Sequence, residues 1–252
     1  TIRPASGATA LSITSANTTA ATMDLNGAQF VTIDGRAGGA GTAKQLTIAN
    51  TSTSGVALRF INEASNNTLR HLTLRGVNTN SFSGTVVFST TTGANGNDDN
   101  TLAQCDICDG ASTPTNCIYA QGTGTTTAQN NSGNTITGCN IFNFHRTTAV
   151  DTAGVMLTSG NTLWTLSGNS FYQTVSRAGV NAVVRAIYLT NTSTNSHTVT
   201  GNFIGGSAPN AGGTAWTTTG TTQPYRFVGI WLRGSSFATT SLQANIIRNF
   251  AW

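Results

Sequence analysis

The chain has 252 residues, of which only 8% are charged, with a formal net charge of +4. That length can bury one large core in a single domain, while charge far below the roughly 25% usual in globular proteins leaves solubility to Thr, Asn, Ser and Gly. Eleven Arg and one Lys stand singly with no basic run, which argues against nucleic acid as a partner, and no apolar stretch approaches the roughly 20 residues that insert across a bilayer.

The chain starts at Thr1 with no basic or hydrophobic leader ahead of its first strand, as expected of a processed protein or an excised segment. Residues 1–27 read as an N-terminal coil or cap. Phe30-Val-Thr-Ile-Asp-Gly35 opens the regular pattern, and two motifs then alternate. One has the form small, apolar, variable, mostly apolar: Ala57-Leu-Arg-Phe60, the looser Thr85-Val-Val-Phe88, Cys117-Ile-Tyr-Ala120, Gly154-Val-Met-Leu157, Ala186-Ile-Tyr-Leu189 and Gly229-Ile-Trp-Leu232. The other has an apolar residue, two variable positions, then Leu, Cys or Asn, a variable position and usually an apolar residue. It reads Leu69-Arg-His-Leu-Thr-Leu74, Leu102-Ala-Gln-Cys-Asp-Ile107, Ile136-Thr-Gly-Cys-Asn-Ile141, Leu163-Trp-Thr-Leu-Ser-Gly168, Val199-Thr-Gly-Asn-Phe-Ile204 and Leu242-Gln-Ala-Asn-Ile-Ile247.

Short β-branched and aromatic runs bounded by Gly, Asn, Ser and Thr are strand signatures. No window of comparable length sustains a helical period. Copies of the second motif start at 69, 102, 136, 163, 199 and 242, which is 33, 34, 27, 36 and 43 residues apart. Such self-similarity marks a repeat whose units bury their apolar faces by stacking. Each repeat holds at least two strands, with room for a third.

This pattern predicts an all-β fold, a parallel β-solenoid of about six to eight coils with long variable loops, whose strands stack about 4.8 Å apart. Leu72, Cys105, Cys139, Leu166, Asn202 and Asn245 are expected to form one inward column, in which Asn tolerates burial by hydrogen-bonding the backbone and its neighbour's amide. A β-sandwich is the alternative, but its turns recur every 8–12 residues without an in-phase column. A further signal precedes the second motif: Asn67-Thr68, Asn100-Thr101, Asn134-Thr135 and Asn161-Thr162, with His197-Thr198 keeping only the Thr.

On the phrases Asn134-Thr-Ile-Thr-Gly-Cys-Asn-Ile-Phe142 and Gly201-Asn-Phe-Ile-Gly-Gly206, the chain from residue 28 to 252 resembles right-handed parallel β-helix proteins of pectin-lyase-like architecture. It is most similar to the Thr-, Asn- and Gly-rich kind found in large secreted and cell-surface proteins of Bacteroidetes. The resemblance implies a right-handed coil and an extracellular setting, and says little about activity because one fold hosts many functions. Asn245-Ile-Ile-Arg-Asn-Phe-Ala-Trp252 stops within or just after a repeat with no polar cap. A single domain over 1–252, cut from a longer polypeptide or surface assembly, is therefore expected.

The four cysteines carry three readings. Cys105-x-x-Cys108, Cys117 and Cys139 match no familiar zinc spacing. Disulfides suit an oxidising compartment: stacked coils bring the Cα atoms of Cys105 and Cys139 into range, whereas Cys108 to Cys117 would staple a loop. Buried free thiols are the third reading.

Polysaccharide cleavage, common on this fold, needs paired carboxylates in a hydrolase. The chain has eight carboxylates, and the one dense group is Asn97-Asp-Asp-Asn100 with Asp106 and Asp109 beyond. Asp98, Asp99 and Asp106 are the candidate Ca²⁺ ligands, against a plain polar turn; otherwise no cofactor is expected. The paired-Asp, Gly-His-Gly and Arg-x-Lys motifs of polygalacturonases are absent, and no nucleophile motif accompanies His71, read as outward, His145 or His197. No catalytic residue is assigned.

Aromatic residues are better binding candidates. Trp164, Tyr188 and Trp231 occupy variable strand positions expected to face outward, where rings stack on sugars or a partner. Trp216 and Tyr225 fall in the long interval from Gly205 to Phe227, exposed on a loop or covered by it. Thr-x-Thr pairs, which organise water on ice-binding solenoids, are read as sharing no common column. The expectation is a structural or adhesive module of a secreted or cell-surface protein that binds polysaccharide or a protein on its lateral face. A β-helix polysaccharide lyase or glycoside hydrolase is the alternative.

Overall fold

The computed structural model describes residues 1–191, 196–220, 224–234 and 239–251. Trp252, the last residue of the closing repeat, lies outside them. The chain winds into a parallel β-solenoid of about seven coils with three main sheets. Sheet 1 stacks Thr32–Asp34, Thr68–Arg70, Thr101–Ala103, Thr135–Thr137, Thr165–Ser167, Thr198–Thr200 and Ser241–Gln243. Sheet 2 stacks Leu11–Ser15, Leu46–Asn50, Leu72–Gly76, Asp106–Asp109, Asn140–Phe142, Ser170–Tyr172, Phe203–Ile204 and Ile246–Ile247. Sheet 3 stacks Met23–Asn26, Leu58–Ile61, Val86–Phe88, Asn116–Ala120, Thr152–Leu157, Val183–Asn191 and Arg226–Gly234.

The six-residue motif is two strands rather than one. Its third position turns the chain from sheet 1 to sheet 2 in a single left-handed residue: His71, Gln104, Gly138, Gly168, Gly201 and Ala244, with φ of 50°, 54°, 60°, 63°, 63° and 54°. Glycine serves there because it adopts that conformation without a Cβ clash.

Register corrects the phase of the fourth repeat by three residues. Ile136 pairs with Leu166, and Leu166 with Val199, so Leu166 matches the first motif position and Asn169 the corner. Leu163, expected to start the repeat, is 57% exposed at φ 57°. The column assigned to Leu166 is therefore Asn169's, and successive corner residues stand 34, 30, 33 and 43 apart from Cys105 to Asn245.

Apolar columns fill the interior. Ile33, Leu69, Leu102, Ile136, Leu166 and Val199 line sheet 1, and Ile48, Leu74, Ile107, Ile141, Phe171 and Ile204 line sheet 2, all with no exposed surface. On sheet 3 the Phe60 and Phe88 rings stack at 4.3 Å, and Trp164 meets Phe88 edge-on at 4.7 Å.

Asparagines seal the corners. Asn67 donates from its backbone N–H at 3.1 Å and from Nδ2 at 2.9 Å to Asn100 Oδ1, and Asn100 repeats both bonds to Asn134. Asn97 does the same with Asn131, and Asn169 with Asn202 and then Asn245. Each coil thereby satisfies a backbone donor of its neighbour inside the core.

Candidate ligand-binding face

The outer surface of sheet 3 gathers rings and guanidinium groups. Its outward register runs Asp24, Arg59, Val87, Tyr119, Met156, Tyr188 and Trp231 from coil to coil. Asp24 and Arg59 pair at 2.5 Å at one end. Toward the other end, Arg185 lies between two rings, its guanidinium carbon 4.5 Å from the Tyr188 centroid and 4.4 Å from that of Trp231. Arg226 covers Trp231 at 4.9 Å, and Arg233 Nη1 donates to the Tyr188 hydroxyl at 3.5 Å.

A cleft of about 210 Å³ opens beside this stack, lined by Phe82, Asp151, Met156, Arg185, Tyr188 and Arg233 among others. Asp151 Oδ2 accepts from Arg185 Nη2 at 2.8 Å, and its Oδ1 accepts the Val183 N–H at 2.9 Å. Burial raises the Asp151 pKa, but the Val183 N–H and Arg185 outweigh it and hold the carboxyl below its usual range. Arg185 is 7% exposed, and its Nε has no hydrogen-bond partner among the described residues.

Phe82 stands 70% exposed at the rim on a loop braced by asparagines. Asn80 N–H donates to Asn78 Oδ1 at 2.9 Å and Phe82 N–H to Asn80 Oδ1 at 2.8 Å, two successive Asx turns. Asn116 Nδ2 clamps the loop through the carbonyls of Ser81 and Ser83. Sequence reasoning missed Phe82; the run Asn78-x-Asn80-x-Phe82 is the signal that marks it.

The aromatic candidates divide. Trp164, expected outside, is fully buried, and its indole N–H donates to Asn131 O at 2.9 Å. The phase error explains this: Trp164 occupies the inward position held by Asn67, Asn100 and Asn134 in other coils. Its backbone N–H reaches His197 Nδ1 at 3.3 Å, so the imidazole replaces an asparagine oxygen. Tyr188 and Trp231 do face outward, but Tyr188 is 6% exposed because arginine covers it. Trp216 is 1% exposed in the core, opening strand Trp216–Thr219 and packed against Phe144, Phe227 and Phe250, and Tyr225 stacks on His145 at 5.1 Å.

The proposed calcium ligands do not come together. Asp98 and Asp99 line a pocket with Glu63, whereas Asp106 lies outside it on sheet 2, paired with Lys44 at 2.5 Å and accepting from Asn140 Nδ2 at 2.7 Å. Asp98 Oδ1 accepts the Ser132 N–H at 2.7 Å, the capping role of a polar turn. Burial pushes its pKa up, with Asp99 and Glu63 adding to the effect. Among the described residues no three His, Cys, Asp or Glu side chains form a metal-holding group.

Cys105, Cys108, Cys117 and Cys139 are free, buried thiols. Cys105 N–H donates to Cys139 Sγ at 3.4 Å, and Cys139 N–H to Asn169 Oδ1 at 2.9 Å. Sulfur therefore acts as the corner acceptor that asparagine oxygen supplies in later coils. Burial pushes Cys108 up to about 12 and raises Cys105 and Cys117 as well. His71, expected outward, is 7% exposed at its left-handed corner, and His145 and His197 are buried.

The hydroxyl pattern also differs from expectation. Thr32, Thr68, Thr101, Thr135, Thr165, Thr198 and Ser241 form one continuous column on sheet 1, with Thr137, Ser167 and Thr200 beside it. Three Thr-x-Thr or Thr-x-Ser pairs thus do share columns. The correct phase of the fourth repeat brings Thr165 and Ser167 into line.

A second groove, about 510 Å³, runs over sheet 2 between Thr51 and Gly110, lined mainly by small residues such as Ser12, Thr14 and Thr47. Its guanidinium, Arg75, donates to Asp109 O. It lacks the aromatic platform and the buried, partly unpaired cation of the sheet 3 cleft.

Fold and site together define a parallel β-solenoid with a cationic, aromatic-rimmed cleft on one lateral sheet. No family model, curated protein or solved structure matches the chain.

Proposed function

We propose that this chain is a structural and adhesive β-solenoid module of a secreted or cell-surface protein, and that it binds glycan through the outer face of sheet 3. The observation that carries the reading is the braced, exposed Phe82 beside the Arg185–Tyr188–Trp231 stack. A rigid scaffold that holds an aromatic ring in solvent at the rim of a polar cleft suits the recognition of a sugar ring. Asp151 is the carboxylate lining that cleft, whereas glycoside hydrolysis uses a pair flanking the bond, so binding without turnover is the expected behaviour. A glycan array, run with and without Ca²⁺ beside a depolymerisation assay, tests this. Phe82→Ala is expected to weaken binding about tenfold, the order of one aromatic contact, with the melting temperature unchanged. Calcium-dependent turnover lost in Asp98→Asn would support the enzyme reading instead.

The threonine column favours a second reading. Hydroxyls repeated about 4.8 Å apart along a sheet face can order water, and inhibition of ice recrystallisation that Thr165→Tyr abolishes is its measurement.

A further inference from the structure

The charge of the cleft narrows the ligand. The faces of Tyr188 and Trp231 that would carry a neutral sugar are already occupied by Arg185, and Arg226 lies on Trp231 as well. Rings used this way hold a guanidinium planar and fixed for a partner of opposite charge. In the cleft Arg185 and Arg233 stand with a single lining carboxylate, Asp151, while Arg226 lies over Trp231 beside it. That carboxylate takes Nη2 of Arg185 and leaves Nε, on a side chain only 7% exposed, without a partner among the described residues. A guanidinium edge offers paired donors that match the two oxygens of an oxyanion, and here the pairing is half complete. Arg233 and Arg226, both exposed, extend the positive field to the rim.

We infer that this cleft binds one oxyanion-bearing sugar residue, a uronate or a sulfate ester, with Arg185 and Arg233 facing the anion and Phe82 under the ring. The inference rests on the reading of sheet 3 as a glycan-binding face. A volume of about 210 Å³ suits a single residue rather than a chain. Asp151 Oδ2, 52% exposed as a side chain, accepts a ring hydroxyl, which an acidic peptide side chain would not supply. Uronate and sulfate share the required chemistry and are separated by titration.

The test is calorimetry of the full chain with a uronate oligosaccharide, a sulfated oligosaccharide, a neutral oligosaccharide of equal length and a glutamate-rich peptide, at low and high salt. Melting temperatures are recorded for every variant. One or both anionic sugars are expected to bind at least about tenfold tighter than the neutral one, as charge-assisted hydrogen bonds allow, and high salt should erase the difference. Phe82→Ala and Arg233→Ala, both at exposed positions, are expected to weaken binding while melting stays unchanged. Asp151→Asn gives the decisive sign: it removes the competing carboxylate and should tighten anionic binding about threefold, an effect of reduced charge repulsion. Equal affinity for the neutral sugar, or weaker binding in Asp151→Asn, overturns the inference and leaves glycan binding intact. Silence toward every sugar, or capture of the peptide alone, overturns both.

Discussion

Asn100 donates through Nδ2 to Ala64 O at 2.7 Å and to Asn134 Oδ1 at 3.1 Å, while its own Oδ1 receives both donors of Asn67. Removing that side chain orphans Ala64 O and the Asn67 N–H, while Asn67 Nδ2 keeps Ala28 O and Asn134 Oδ1 keeps the Asn100 N–H, and each buried orphan costs about 1–3 kcal/mol. The same geometry explains why the columns accept substitutes. Cys139 Sγ and His197 Nδ1 each present an acceptor where asparagine presents Oδ1. The histidine substitute has a consequence for pH. Burial holds His197 and His145 down at about 4, below their ordinary 6.5. As pH falls through 6.5 the unfolded chain takes up protons that the folded chain refuses until about 4, so stability is lost across that window, by up to about 3 kcal/mol for each ring. His197→Asn restores the column acceptor without a titrating group. Urea unfolding at pH 7 and near pH 4.5 should show wild type losing more stability than this variant; equal losses would mean that His197 does not carry the effect.

At the scale of elements, two short strands and a one-residue corner replace the single strand implied by each six-residue motif. The motif was legible because its first and fourth positions both face the core, on either side of the turn. The fourth repeat misled because Asn161-Thr-Leu163-x-x-Leu166 imitates the pattern three residues early. Only hydrogen bonding to the coils on either side separates the two phases, and it places Leu166 under Ile136. Trp164 then fills the interior beside Phe88, making it a core residue rather than a sugar platform. Trp164→Ala is expected to cost about 4 kcal/mol, within the range for emptying a large aromatic site, with glycan binding of the remaining folded protein unchanged. Chemical denaturation and the calorimetric titration together check this. Lost binding in a variant that still folds would return Trp164 to the ligand face.

Across the whole molecule, burial is graded along the axis. Asn116–Ala120 is buried at all five positions, whereas Leu11–Ser15 is exposed at four of five and Ile246–Ile247 at both. Because each strand pairs only with strands of adjacent coils, stability is largely a sum of local terms, and opening should begin at the outer coils. Hydrogen exchange is expected to be slowest in Asn116–Ala120 and Thr152–Leu157 and fastest in Leu11–Ser15. Uniform protection would instead report a single cooperative unit.

What the sequence determined by itself was the solenoid: its strands, its period and the alignment of Leu58, Val86, Ile118, Val155, Ile187 and Ile230 in one column. Those features are written into each repeat and recur along the chain, so they can be read without contacts. Tertiary structure alone decided the rest. Whether an outward ring is free depends on what the adjacent coil lays over it, as Arg185 does over Trp231. Whether Asp106 joins Asp98 depends on a corner that sends them to different faces, and Phe82 gained its place through Asn116, one coil away. The ring cover and the Phe82 clamp join residues more than thirty positions apart, a distance at which side-chain burial and charge pairing are set by stacking and not by local pattern.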